Sequence, residues 1–323
     1  MNPSAGLPAE ALANAGMWLA PLRGVTVRTF RDVFGDAIRE AGFDGSFAPF
    51  IPANAGFRFS KRLFSDIIPG EGAQARQVPL VPQVIGKDPA ALRDWCRAVK
   101  DLGYRRVDLN AGCPFPMIRR KGRGSGLLRT PDVLERMLEA GCAEMGTGGF
   151  SIKTRLGVER RDELLGLMEV INRYPLAALT VHARTAKQMY DGAVDREAFE
   201  LVRAAAKMPV IYNGDAAVGL SAGASAKAGD SPPADGVMVG RRFIRSLANR
   251  ADACDLLRRY IDESRSELCG EAPVVGRMKE LLSYWCQEPS WRRLWSSVKL
   301  CRTIGELESC LHSAEDYGII HGG

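Results

Sequence analysis

The chain has 323 residues, 46% of them hydrophobic and 25% charged, with a net charge of +6. That balance excludes a disordered or low-complexity chain, and the mild positive excess favours an anionic partner. No apolar run approaches the roughly 20 residues that span a bilayer, and the eight cysteines include no Cys-x-x-Cys pair for zinc, iron–sulfur or thioredoxin chemistry.

Residues 1–16 read as an N-terminal extension with neither a basic n-region nor an apolar h-region, so no targeting peptide is expected. Met17 to Ala20 is a short apolar run that stops at Pro21, and Val27, Phe30, Val33 and Phe34 then follow at helical spacing. FDGSFAPFI has a strand pattern, and residues 52–75 form an excursion rich in Arg, Lys, Phe and Gly. From there the alternation is regular. Pro79 to Val84 is a strand, and Asp88 to Leu102 is a helix with a Lys-Asp-Pro start and a stop at Gly103. Arg105 to Leu109, Phe150 to Thr154 and Ala178 to His182 are strands; Pro131 to Ala143, Asp162 to Tyr174 and Arg196 to Ala206 are the helices after them. Pro209 to Tyr212 and Gly236 to Val239 are two further strands, separated by the Ala/Gly/Ser/Pro-rich segment 219–234, where a loop replaces a helix.

About eight β-units with helices between most of them point to a parallel sheet, either closed as a (β/α)8 TIM barrel or open and doubly wound. The barrel is preferred because a polar or special residue ends nearly every strand: Pro21, Gln83, Asn110, Lys153, His182, Asn213 and Gly240. Barrel enzymes build their sites on that rim. The barrel is assigned to residues 17–250. From 251 to 323 the strand signal stops and apolar seams through Tyr260, Met278, Trp285 and Trp291 predict a small all-α C-terminal domain.

The most informative stretch is DLNAGCPFPMIRRKGRGSGLL, residues 108–128. A strand ends, Cys113 sits in a Gly-Cys-Pro corner, and a basic loop follows with no carboxylate between Asp108 and Asp132. Taken alone, this fits a nucleophile or a phosphate cradle; the absence of a Lys-Ser/Thr pair after KGRGSG argues against a Walker site. With only His182, His312 and His321 in the chain, a histidine-rich metal centre is excluded, so a bound organic cofactor suits the rim residues better.

DLNAGCP followed by RRKGRGSGLL resembles the signature of the dihydrouridine synthases, flavin enzymes that reduce uridine in tRNA. LAPLRGVT, VPQVIGKDP, SIKTRLG, VHARTAKQMY, VIYNGD and GVMVGRR resemble the family's other blocks, in order, from Met17 to Arg241. The resemblance implies an FMN-binding barrel with Ala20, Pro21 and Leu22 along the flavin and Gln83 on its ring edge. Asn110 would lie near flavin and uracil, Lys153 at the flavin's N1–C2 edge, and His182 nearby. Asn213, Gly214, Asp215, Gly240 and Arg241 would hold the ribityl phosphate. Cys113 matches the family's proton donor. The tRNA-facing set is expected to comprise Arg119, Arg120, Lys121, Arg123, Arg184, Arg277, Lys279, Arg292, Arg293, Lys299 and Arg302. NADPH or NADH would be the diffusible reductant, with no metal and no membrane, and the protein a cytoplasmic monomer. The family usually has small residues and Asn-Pro after the last Gly-Arg, whereas Arg242-Phe243-Ile244-Arg245 stands here. RMKELLSYW resembles the bacterial subfamily that acts on D-loop position sixteen.

Overall fold

The computed structural model describes residues 16–68, 78–216 and 232–316. Nearly all of the expected N-terminal extension, and segment 219–234 up to residue 231, lie outside the described residues.

The strands are β1 (Gly16–Leu19), β2 (Gly45–Phe47), β3 (Ile51–Ala53), β4 (Leu80–Val81), β5 (Gln83–Gly86), β6 (Val107–Ala111), β7 (Phe150–Gly157), β8 (Leu179–Thr185), β9 (Val210–Asn213) and β10 (Gly236–Val239). All pair in parallel in one sheet of order β3-β5-β6-β7-β8-β9-β10-β1-β2-β4. β2 and β3 are two halves of one stave, and so are β4 and β5. β2 pairs with β4 and β3 with β5, so the sheet closes on itself as an eight-stave barrel.

Both broken staves, each expected as a single strand, carry a proline at the break, Pro49 and Pro82. Proline has no N–H for the ladder, so pairing is interrupted there without loss of direction. The carbonyl of Pro82 still accepts from the Asp108 N–H at 2.9 Å, which keeps the broken stave attached to β6.

Alternation along the staves sorts side chains into two layers. Leu19, Val107, Leu109, Ile152, Val181 and Tyr212 face outward into one large apolar core with the surrounding helices. Trp18, Phe47, Val81, Ile211 and Met238 point into the lumen and form a separate small cluster. Above that floor the inward positions turn polar: Gln83, Asp108, Ser151 and Thr180 are all sealed from solvent.

The helix Pro89–Asp101 illustrates how the outer layer is set. Asp88 caps it by accepting from the N–H groups of Ala90 and Ala91, Pro89 occupies its first turn, and Leu92, Trp95, Cys96 and Val99 bury one face. The C-terminal helices Ala253–Glu267 and Glu271–Trp285 join the same core. The Phe34 ring meets those of Tyr260 and Trp285 at 5.6 and 6.3 Å, and Trp285 packs edge-on to Trp291 at 4.9 Å. The seam expected from Trp291 to Cys301 is a 3-10 turn (Arg292–Leu294) and one short helical turn (Trp295–Val298), followed by the helix Ile304–Asp316.

Candidate active site

A cleft of about 870 Å³ opens where the strands end and is roofed by the helix Glu271–Trp285. Ala20, Pro21, Leu22, Asn110, Cys113, Lys153, His182, Asn213, Gly214, Asp215, Gly240 and Arg241 line it from the barrel side. All were expected at a cofactor or catalytic site. Gln83 does not line it: its side chain is fully buried.

A run of directional hydrogen bonds leads from the lumen to the cysteine. Ser151 Oγ and Gln83 Nε2 each donate to the Asp108 carboxylate at 2.7 Å. Gln83 Oε1 accepts from Asn110 Nδ2 at 2.8 Å, and Asn110 Oδ1 accepts from the N–H of Cys113 at 2.9 Å and that of Gly112 at 3.2 Å. A carboxylate only accepts, so the Gln83 amide has one orientation, and Asn110 inherits it. Asp108 therefore sets which way the cysteine corner is held.

The corner is gripped from two other sides. Ser125 donates to the Cys113 carbonyl through both Oγ (2.9 Å) and N (3.1 Å), and Arg155 Nε donates to the Gly112 carbonyl at 2.9 Å. Gly124, at φ +56°, lies so close that a β-carbon would fall 2.8 Å from Cys113 Cβ and 2.9 Å from its carbonyl oxygen. Gly124→Ala is therefore expected to destabilise the fold by about 1–3 kcal/mol and to displace the thiol. The midpoint of urea unfolding and the alkylation rate of Cys113 check this; an unchanged alkylation rate would show that the loop gives way instead of the cysteine.

Electrostatics assign the protons. Burial pushes the Cys113 thiol up, against a backbone hydrogen bond from Phe115 and the charges of Arg155, Arg23 and Lys153. The basic-loop residues Arg119, Arg120 and Lys121 are not among the main influences on it. Cys113 thus stays a thiol at neutral pH. Burial brings Lys153 down to about 8, with Arg155 adding to the fall and Asp108 opposing it; its Nζ donates to Asn213 Oδ1 at 2.9 Å. Burial, then the cations Arg155, Lys153, Arg184 and Arg241, holds His182 well below the usual imidazole range, so the ring is neutral. Arg184 Nη1 lies 3.3 Å from His182 Nε2. Arginine can only donate, so Nε2 accepts and the ring proton sits on Nδ1. Burial alone would raise Asp215, but the hydrogen bond and charge of Arg184, with Arg241, hold it below the carboxylate range.

Seven cations line the cleft (Arg23, Lys153, Arg155, Arg241, Arg242, Arg245 and Arg277) against two carboxylates, Asp215 and Glu280. That excess suits an anionic ligand. Room for it is built into the backbone. At Gly214, φ +117°, a β-carbon would sit 3.0 Å from the His182 ring, and at Gly240 one would sit 3.1 Å from Ala20 Cβ. The residues present therefore fit a flat, phosphate-bearing cofactor. Among the described residues no group of three or more His, Cys, Asp or Glu is placed to hold a metal, and no helix is long and apolar enough to cross a membrane.

Three of the residues expected to face RNA are bonded within the protein. Arg184 is only 2% exposed; it donates to the Gly192 carbonyl and pairs with Asp215. Arg277 is largely buried and bound to Glu267 at 2.6 Å, with Ser264 and Thr29 at 3.3 Å. Lys279 Nζ donates to the Lys299 carbonyl at 2.8 Å. All three stitch the protein to itself. Arg120, Lys121, Arg292, Arg293, Lys299 and Arg302 are exposed, and Arg119 and Arg123 half-buried.

Arg155 and Tyr190 are among the cleft residues that escaped the sequence reading. Arg155 bonds the carbonyls of Gly112, Thr185 and Met189, tying the cysteine corner to the loop after β8. Tyr190 has guanidinium carbons at 5.2 Å (Arg155) and 4.9 Å (Arg241) from its ring centre. The signal for Arg155 was its period-two spacing from Lys153; both strands run farther than their apolar stretches suggested.

The chain is similar to several known proteins. A probable tRNA-dihydrouridine synthase of Rhodobacter capsulatus is 34% identical over 51% of this chain and 50% of its own length. The tRNA-dihydrouridine(16) synthase of Cupriavidus necator is 30% identical over 62% of each. Among solved structures, morphinone reductase in complex with tetrahydroNAD aligns with a TM-score of 0.49 at 14% identity, over 72% of this chain and 84% of that one. The matches thus span about half to three-fifths of the curated relatives. The Dihydrouridine synthase (Dus) family profile matches residues 18–283, which takes in the barrel, the gripped cysteine and the helix roofing the cleft, and the chain belongs to that family.

Proposed function

We propose that the chain is an FMN-dependent tRNA-dihydrouridine synthase that uses NADPH or NADH as reductant. The observation that carries this reading is a cysteine kept as a thiol and fixed in the wall of a cationic cleft. FMN, when bound, supplies the hydride that reaches uracil C6. Ala20, Pro21 and Leu22 would flank its ring, Lys153 would lie at the ring's anionic edge, and Asn213, Gly214, Gly240 and Arg241 would hold its phosphate. Asp215 serves by holding Arg241 and Arg184 in place.

The chain's own chemistry is the second half of the reduction. Addition at C6 leaves an enolate whose C5 needs a proton, and Cys113 is the acid that gives it. A thiol raised by burial is fully protonated and neutral at pH 7, so the donor holds its proton without an auxiliary base. Asn110, oriented from below by Gln83, supports the backbone of that donor. Neutral His182 leaves the positive charge at the phosphate end to Arg241 and that at the ring edge to Lys153.

The substrate is proposed to be a uridine everted from folded tRNA, at a cost of a few kcal/mol in lost stacking. Exposed cations of the basic loop and the C-terminal helices would meet its phosphates. Incubating protein, FMN, NADPH and an unmodified tRNA transcript is expected to yield dihydrouridine, with tRNA affinity falling steeply between 50 and about 200 mM salt. Nucleoside mass spectrometry reads the product, and position sixteen of the D-loop is the first to map. Reduction of free uracil or uridine with none in tRNA would replace this reading with a free-pyrimidine reductase.

A further inference from the structure

Immediately beyond the gripped cysteine the surface turns apolar. Phe115, which lines the cleft, is 44% exposed, and the next two residues, Pro116 and Met117, are exposed too, Met117 to 76%. They are not a frayed loop. The Phe115 carbonyl accepts from the N–H groups of Ile118 and Arg119 at 3.0 Å, and the Pro116 carbonyl from that of Arg120 at 2.9 Å. The far end of the turn is pinned where Gly126 lies against the Arg119 carbonyl. Pro116 fixes its own φ, and the Phe115 N–H faces the Cys113 thiol, so the backbone that carries the ring is held two residues from the reacting group.

A contiguous exposed apolar run on a fixed backbone marks a contact surface. The charge around it says what kind of surface that is. Arg119, Arg120 and Lys121 follow in the same turn, Arg23 lines the adjoining cleft wall, and no acidic residue lies between Asp108 and Asp132. An apolar plate in a field of cations is complementary to a π-face carried on an anionic chain, which is the chemistry of a nucleobase on a phosphate backbone. A protein partner covering Phe115 would have to be both acidic and apolar at one point; a strand of RNA is so everywhere along its length.

We propose that Phe115, backed by Pro116 and Met117, is a stacking platform for the nucleobase next to the uridine taken into the cleft. The inference rests on the function proposed above. A base that leaves its stack exposes the face of its neighbour, and a ring fixed beside the acid covers that face while keeping the uridine from returning. Stacking of this kind tolerates any base, so the platform would aid eversion without setting sequence preference.

The test uses the full-length protein, a single-stranded uridine oligonucleotide carrying one 2-aminopurine, and an unmodified tRNA transcript. Phe115→Ala is expected to abolish the quench of 2-aminopurine fluorescence, weaken oligonucleotide binding about tenfold and lower kcat/KM on tRNA about tenfold. Phe115→Trp is expected to restore all three, with flavin absorbance and urea midpoint as folding controls. Quench and affinity equal to the parent in Phe115→Ala would overturn the platform, and so would a loss of tRNA reduction with the quench intact. A parent protein that quenches through Phe115 yet reduces no uridine in tRNA supports the platform and sinks the proposed activity; one that reduces tRNA equally well with alanine at 115 sinks the platform alone.

Discussion

Cys113→Ala is expected to bind flavin and tRNA as the parent does and to form dihydrouridine about 10²- to 10⁴-fold more slowly, the usual contribution of a positioned general acid. The expectation follows from where the thiol's proton is. Burial raises Cys113 above the ordinary cysteine range, and the cations that act on it do not reverse this. A cysteine used as a nucleophile needs the opposite environment, one that favours thiolate. The two roles separate in a pH profile. An acid loses activity as pH climbs towards its own pKa, whereas a nucleophile gains it. Lys153, brought down to about 8, contributes a fall on the same alkaline side, so a rate that rises steadily from pH 6 to 9 contradicts both assignments.

Cys113→Ser sharpens the test. The hydroxyl is a far weaker acid but occupies the same grip from Asn110, Ser125 and Arg155. It is expected to fall between alanine and cysteine under single turnover, read by mass spectrometry of the digested RNA. Alanine at full rate would remove Cys113 from the reaction altogether.

The barrel was legible because parallel strands covered by helices are short apolar runs, and the rim was legible because Asn110, Lys153, His182 and Asn213 interrupt those runs where they end. What stayed hidden was of two kinds. Arg155 and Arg184 continue their strands beyond the apolar stretch, where a charged residue reads as a loop; both are buried because backbone carbonyls and Asp215 bond them. The other kind depends on register. Gln83 sits opposite Asp108, and Asp108 opposite Ser151, across three neighbouring staves. Nothing in the order of residues 83, 108 and 151 announces that they touch. The same limit applies to Arg277: Glu267, ten residues earlier on the preceding helix, pairs with it.

Asp108→Asn is expected to make the protein more stable at neutral pH and less active. Burial, against hydrogen bonds from Ser151 and Gln83 and the charge of Lys153, raises this carboxyl from 3.8 to about 6. An acid raised on folding binds its proton more readily in the native state, so stability is highest below pH ~4, declines up to pH ~6 and is level above. At 1.36 kcal/mol per pH unit the decline is roughly 3 kcal/mol. Asparagine keeps the volume, accepts from Gln83 Nε2, donates to Ser151 Oγ and carries no charge into the lumen. The variant is expected to gain up to about 3 kcal/mol over the parent at pH 7.5 and nothing near pH 4, as urea midpoints will show. Function should move the other way. Asp108 is what raises Lys153 against burial and Arg155; without it Lys153 loses its proton at lower pH, and the alkaline fall in activity starts earlier. A variant that is less stable than the parent at pH 7.5, with the same pH slope, would mean that the carboxylate is a net stabiliser and that the barrel keeps it for folding, not for the lysine above it.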